Sequence, residues 1–254
     1  MMGAQGISTW RRWRHWLGME YRLLRTWVRQ IPNRWQAWRR FWAEYDRYNQ
    51  LAQEPARPEH LIPCLEDATA QTEIEPIYFY QDAWAFEKIV GYRPQWHLDI
   101  GSHHKFVALL SKVVPLTMVD IRPLSLPLES ITFKQGDILN LPYPDASVPS
   151  VSCLCVIEHI GLGRYGDTLN PNGTYEAIAE LKRIVQSGGH LVVSVPIDDQ
   201  DRIYFNAHRA FHEASLLQQF APFEVREVRY IFGKHFGTAK GKGFGVACYW
   251  LVKP

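Results

Sequence analysis

Five short apolar runs, Trp96–Ile100, Leu116–Asp120, Ile131–Gln135, Val151–Cys155 and Leu191–Val195, read as buried strands. Helical spacing over Lys105–Lys112 separates the first two. A second helical stretch, Tyr175–Val185, precedes the last; there Ile178, Leu181 and Ile184 share a face and Ser187-Gly188-Gly189 reads as a terminal cap. A chain that alternates in this way has few solutions, because strands buried on both faces must lie parallel, covered by helices and joined by right-handed crossovers. A further helix, Ala214–Phe220, leads to two strands, Glu224–Phe232 and Phe244–Val252, joined by the glycine-rich Gly233–Gly243 and closing the sheet as an antiparallel hairpin. The expected fold class is α/β: a doubly wound, mostly parallel sheet of seven strands whose last is antiparallel.

The amino-terminal part obeys a different rule. Residues 1–42 hold nine Arg and one acid, Glu20, about +8, so with a net charge of +2 the remainder carries about −6. Trp10, Trp13, Trp16, Trp27, Trp35, Trp38 and Trp42 recur at spacings that include three and four, and Pro32 is expected to break the segment into a helical hairpin. Three segments follow: a basic Trp-rich helical extension over 1–50, a linker over 51–75 with Pro55, Pro58 and Pro63, and a main domain over 76–254. The extension serves either as a lid whose Trp side chains pack on the main domain or, through residues 8–45, as a peripheral anchor beside an anionic membrane. Nucleic acid is not an expected partner, because the basic charge does not continue into the body. No window approaches the roughly 20 apolar residues of a membrane span, and the four Cys form no CxxC pair, which suits reduced thiols in a cytoplasmic protein.

In a sheet of this kind ligands bind beyond the carboxyl ends of the strands, where strand order reverses. The first such turn is Asp99-Ile100-Gly101-Ser102-His103-His104-Lys105, with one of the three glycines of a dinucleotide fingerprint, which argues against a nicotinamide cofactor. The second strand ends in Asp120, placed to accept both hydroxyls of a ribose, and the third is followed by Gly136-Asp137-Ile138, an acid placed to accept from an exocyclic amine. Singly, each acid reads as a loop or cap residue; at three successive strand ends they read as a site.

These residues resemble the class I S-adenosylmethionine-dependent methyltransferases, whose sheet is Rossmann-like. Asp99, Gly101 and Ser102 match the glycine loop of that superfamily, Asp120 its ribose acid, Asp137 with Ile138 its adenine contacts, and Leu181–Gly189 its helix-turn before strand five. The likeness covers about residues 95–252 and implies S-adenosylmethionine as cofactor, with Leu154 at the end of strand four lending backbone to it. Gly101-Ser102-His103 departs from the usual Gly-x-Gly. Glu158–Asp167 and Phe205–Arg209 further resemble a methyltransferase-like family known only as a domain of unknown function.

The fold implied by that resemblance brings Glu158 and His159, after strand four, over the same crevice as Asn206, His208 and Arg209, after strand five. Methyl transfer is an in-line displacement that asks mainly for alignment and exclusion of water. An oxygen acceptor gains from a base, so His159 and His208 are the catalytic candidates. Glu158, Arg164, Tyr165, Asn206 and Arg209 are the acceptor-binding candidates, with Gly161, Gly163 and Gly166 making the Arg164 loop a lid or a tight turn. Arg164 pairing with Asp167 is an equal alternative. Cys155, Glu158 and His159 also lie where ubiquinone-type O-methyltransferases carry metal-binding acids and a His, but Cys replaces an acid and no metal is expected. The expected activity is methylation of an oxygen on a small or lipid-linked polar acceptor such as a sugar or glycan precursor. Two alternatives stand beside it: a binding module without turnover, and a protein that recruits a biosynthetic complex to a membrane or partner.

Overall fold

The computed structural model describes residues 9–254; residues 1–8 of the expected extension and the side chain of Trp27 lie outside the described residues. The chain divides between Glu73 and Ile74 into two compact units.

The first unit is built on one helix, α1 (Thr9–Leu51). The hairpin expected from Pro32 does not form. Proline in a helix removes one amide donor and costs about 3 kcal/mol, but helical turns continue on both sides, so the lost hydrogen bond does not end the helix. The segment after α1 returns along it. Tyr45 Oη donates to the Ala56 carbonyl at 2.9 Å, the Asn49 side chain accepts the Ala56 amide at 2.7 Å, and Arg40 reaches the Leu65 carbonyl at 3.4 Å.

The second unit opens with a helix that the sequence reading left out, α2 (Pro76–Tyr92). Its signals are local: the Glu75 carboxylate accepts from the amides of Ile77 and Tyr78, Pro76 takes the first turn where no donor is needed, and Arg93 closes the helix in the left-handed region ahead of Pro94. Then follow β1 (His97–Ile100), α3 (His104–Leu110), β2 (Leu116–Asp120), β3 (Ile131–Gln135), β4 (Val148–Leu154), α4 (Gly173–Ile184) and β5 (Val185–Ile197). After a small separate hairpin, β6 (Arg202–Tyr204) and β7 (His208–Ala210), the chain forms α5 (Glu213–Phe220), β8 (Glu224–Phe232), β9 (His235–Gly237) and β10 (Gly245–Val252).

The main sheet runs β3-β2-β1-β4-β5-β10-β8-β9. Its first five strands are parallel, and β10 lies antiparallel between β5 and β8. The expected seven strands gain an eighth, because three residues of the stretch read as a glycine-rich connection pair with Tyr230–Phe232 as β9. The two faces carry separate cores. Leu98, Val151, Val193, Ile178, Leu181 and Phe220 pack on one side, and Trp84, Ile89, Phe106, Leu110, Met118 and Val192 on the other. Strand alternation puts Cys153 in the first core and Cys155 against the second. Strand order reverses between β1 and β4, and the carboxyl ends of β1 to β4 open on the same side.

Candidate functional site

At that reversal lie two hollows, of about 280 and 680 Å³. The smaller is lined by Gly101, Asp120, Asp137, Ile138, His159 and Tyr165, among others; the larger by Tyr78, Ser102, His103 and Leu154. Gly101, Asp120, Arg122, Cys155 and Tyr165 border both, so the two are neighbours.

The three strand-end acids do different jobs. Asp120 and Asp137 each turn one carboxylate oxygen onto a local backbone amide, Arg122 at 2.8 Å and Leu139 at 2.9 Å, which fixes each carboxylate at the rim of the smaller hollow. Asp99 lines neither hollow. It is fully buried; it accepts the Ser102 amide at 3.0 Å and the Ser152 hydroxyl at 2.5 Å. Ser152 continues to His97 Nε2 and His97 Nδ1 to Ser150, both at 2.8 Å, while the Ser102 hydroxyl accepts the amide of Leu154 at 3.1 Å. Burial pushes the Asp99 carboxyl up to about 6 and holds the His97 imidazole down to about 3. Asp99, Ser102 and Leu154 are thus knotted beneath the turn that presents Gly101, whose φ of +62° is in the left-handed region. His103, where the superfamily pattern has glycine, packs on Tyr78 with ring centres 4.9 Å apart and planes tilted by 37°, and walls the larger hollow without filling it.

Past β4 the backbone twists sharply. Cys155 adopts φ +52°, rare for a side-chain-bearing residue, held by its amide on the Ser194 carbonyl and its thiol on Gln81 Oε1. Glu158 follows, buried; one carboxyl oxygen has no partner, and burial raises its pKa to about 8. His159 lines the smaller hollow. Its Nδ1 lies 2.6 Å from the Ala207 carbonyl, an acceptor, so Nδ1 carries the proton, and burial lowers its pKa to about 4. The ring is neutral at pH 7 with a lone pair on Nε2, 3.7 Å from the Glu158 carboxyl.

The loop after His159 folds over this corner. The Asp167 carboxylate gathers the amides of Gly161, Gly163 and Tyr165, so Asp167 organises the turn while Arg164 Nη1 donates to the Ala207 carbonyl at 2.9 Å. A Cβ on Gly161 would lie 2.0 Å from the Asn170 carbonyl oxygen, which leaves no room for another residue. The guanidinium groups of Arg122 and Arg164 stand over the ring of Tyr165, 4.3 and 5.1 Å from its centre.

Of the residues read from the β5 side, none lines either hollow. Arg209 is buried and donates to the Ile160 carbonyl at 2.6 Å and Thr174 Oγ1 at 3.1 Å, with longer contacts to the carbonyls of Asn170 and Pro171. Its fork clasps the loop over residues 160–171, a use that polar composition alone does not distinguish from ligand binding. His208 packs in a triangle of rings with Tyr204 and Phe244, and Asn206 is exposed at the tip of the β6–β7 hairpin. The hairpin contributes through its backbone: the Ala207 carbonyl joins His159 to Arg164, a role carried by no side chain and therefore invisible in the sequence. Tyr78 and Gln81, also missed, come from α2.

A family model described as a Caenorhabditis protein of unknown function, DUF268, matches residues 145–229. Demethylmenaquinone methyltransferase of Deinococcus radiodurans is 38% identical over 64 residues, which is 25% of this chain and 22% of that protein. Among solved structures, 1,6-didemethyltoxoflavin-N1-methyltransferase of Burkholderia thailandensis, with bound 1,6-didemethyltoxoflavin and S-adenosylhomocysteine, superposes with a TM-score of 0.53 at 16% identity, covering 71% of this chain and 80% of that one. N-methyltransferase NodS of Bradyrhizobium japonicum, in complex with S-adenosylhomocysteine, superposes with a TM-score of 0.51 at 13% identity, covering 72% and 90%. The chain has the Rossmann-like fold of the class I S-adenosylmethionine-dependent methyltransferases.

Proposed function

We propose that the protein is an S-adenosylmethionine-dependent methyltransferase acting on an oxygen of a polar acceptor, such as a sugar or glycan precursor. The observation that carries the proposal is the placement of Asp120 and Asp137: carboxylates on the ends of adjacent parallel strands, both opening on one hollow where strand order reverses. That pair of acceptors fits an adenosine, with Asp120 accepting from ribose hydroxyls, Asp137 from the exocyclic amine and Ile138 giving an apolar wall. Gly101 lets backbone approach the rest of the cofactor. When bound, S-adenosylmethionine supplies an electrophilic methyl on a sulfonium.

The chain's own residues supply position and a proton acceptor. His159, neutral and fixed through Nδ1 on Ala207, keeps the lone pair of Nε2 for a hydroxyl proton. Glu158 retains its own proton near neutral pH, which leaves the hydroxyl proton to His159. Tyr165, held by the guanidinium groups of Arg122 and Arg164, closes the corner against water. The acceptor is small or lipid-linked; a lipid-linked one would be met in the cytoplasm at a bilayer face.

Calorimetry of the full chain with S-adenosylmethionine and S-adenosylhomocysteine tests the cofactor: saturable binding of both is expected, and no heat from either at millimolar concentration overturns the proposal. Label transfer from methyl-labelled cofactor to hydroxyl-bearing rather than amine-bearing acceptors tests the atom.

A further inference from the structure

We infer that α1 is a membrane-binding surface that lies along an anionic lipid bilayer, whatever acceptor the second unit uses. The continuity of the helix makes the case. At about 100° per residue, Trp13, Leu17, Leu24, Trp35, Trp38 and Trp42 fall within an arc of about 60°, and every one of them is exposed, by between 36% and 61%. Trp13, Leu17 and Leu24 before Pro32 therefore share one stripe with Trp35, Trp38 and Trp42 after it, which two antiparallel helices would have divided. The helix is about 65 Å long at 1.5 Å per residue, more than twice the thickness of a bilayer core. No described helix is long and apolar enough to cross a membrane, so the stripe suits a position along the interface.

Charge settles the kind of partner. Arg22, Arg25, Arg40 and Arg47 share an arc on roughly the opposite side of the helix, while Arg34 and Arg39 flank the aromatic stripe. Flanking arginines can lay their stems along the apolar face and lift their guanidinium groups to headgroup phosphates. Arg14 and Arg39 already stand over the rings of Trp10 and Trp35, at 5.8 and 4.8 Å. Trp is the residue that prefers the headgroup zone. Glu20, at the edge of the stripe, is the one acid among the first 42 residues. A second copy of the helix is the weaker occupant, because it would bring together two segments that each carry ten Arg against only Glu20, Glu44 and Asp46. An anionic leaflet supplies the missing charge, and each Arg near it strengthens partition about fivefold.

The test is flotation of the full chain with mixed phosphatidylcholine/phosphatidylglycerol vesicles and with pure phosphatidylcholine vesicles, read together with tryptophan emission. Binding to the mixed vesicles with a blue shift, and little binding to the neutral ones, is expected. Replacing Trp35, Trp38 and Trp42 together by Ser should weaken partition at least about tenfold, and replacing the flanking Arg14, Arg34 and Arg39 by Gln should weaken it by about two orders of magnitude, with helix content unchanged in circular dichroism. Absence of flotation on anionic vesicles overturns the inference. So does flotation that the Trp substitutions leave intact, since the stripe would then be idle, and so does a lipid-independent dimer that they abolish. S-adenosylhomocysteine binding measured on the same samples keeps this outcome separate from the methyltransferase proposal.

Discussion

Asp99 and the pair Asp120 and Asp137 close three neighbouring strands with the same side chain, yet the surroundings give them opposite employment. Asp99 is sealed under the turn with every local donor committed to it, and its carboxyl is pushed up to about 6 by burial. Asp120 and Asp137 stand at the rim of a hollow, each anchored by one backbone amide. A run of acids at strand ends is thus not three equivalent ligands. One builds the turn and two face outward from it, and the difference is set by whether the next strand carries a hydroxyl, here Ser152, that reaches back.

The sharpest way to break this contrast is to remove the buried member. Asp99→Ala leaves the Ser102 amide and the Ser152 hydroxyl without an acceptor, and at about 1 to 3 kcal/mol for each orphaned group the fold should lose about 3 kcal/mol, measured by denaturant unfolding. Asp99→Asn can accept from Ser102 and donate to Ser152, so its loss should be under about 1 kcal/mol. The sign of the pH dependence follows. The folded carboxyl titrates near 6 and the unfolded one near 3.8, so the folded state holds the proton more tightly, and this contribution is full below about pH 4 and lost as pH rises through 6. Asp99→Asn should therefore gain on the wild type between pH 4 and 6. A variant whose stability runs parallel to the wild type over that range would return Asp99 to the rim with the others.

Removing the outward pair should do the converse. Asp120→Ala and Asp137→Ala should each weaken S-adenosylhomocysteine binding about tenfold to a hundredfold, the worth of one hydrogen bond to a charged group, with the unfolding midpoint little changed. A destabilised protein with unchanged affinity would mean that these acids, too, are structural. Tyr165→Ala removes the ring held by Arg122 and Arg164. A cation–π contact at a partly exposed site contributes about 0.5 to 1 kcal/mol, so affinity should fall about two- to fivefold, seen first as faster dissociation.

Much of this was legible in the chain. Strand positions and the rim acids followed from apolar runs with an Asp at or just beyond their carboxyl ends, because a parallel sheet buried on both faces has a strict pattern and its strand ends are fixed in space. His159 was legible from its place after strand four. Arg209 and Asp99 were legible as special and not as structural, since burial is a property of neighbours distant in sequence: Thr174 and the Ile160 carbonyl for the one, Ser152 for the other. Pro32 misled because proline marks a missing hydrogen bond and not necessarily the end of a helix. The Ala207 carbonyl left no signal at all, as backbone groups are the same in every residue.

The smallest expected effect separates the two histidines. His159 lines the hollow with an unprotonated Nε2; His208 sits half-buried against Tyr204 and Phe244, with a pKa lowered by burial and then by Arg164. Its ring borders neither hollow, and its neighbour Ala207 offers the carbonyl that holds His159 and Arg164. His208→Ala should leave S-adenosylhomocysteine affinity within about twofold, because a change of a few tenths of a kcal/mol is all that a loosened hairpin transmits to a distant carboxylate pair. Its consequence should be a lower rate of methyl transfer, as His159 loses part of its tether. A tenfold loss of affinity in calorimetry would show that the hairpin reaches into the cofactor hollow, and the division between an adenosine end at β2 and β3 and an acceptor end at β4 and β5 would have to be redrawn.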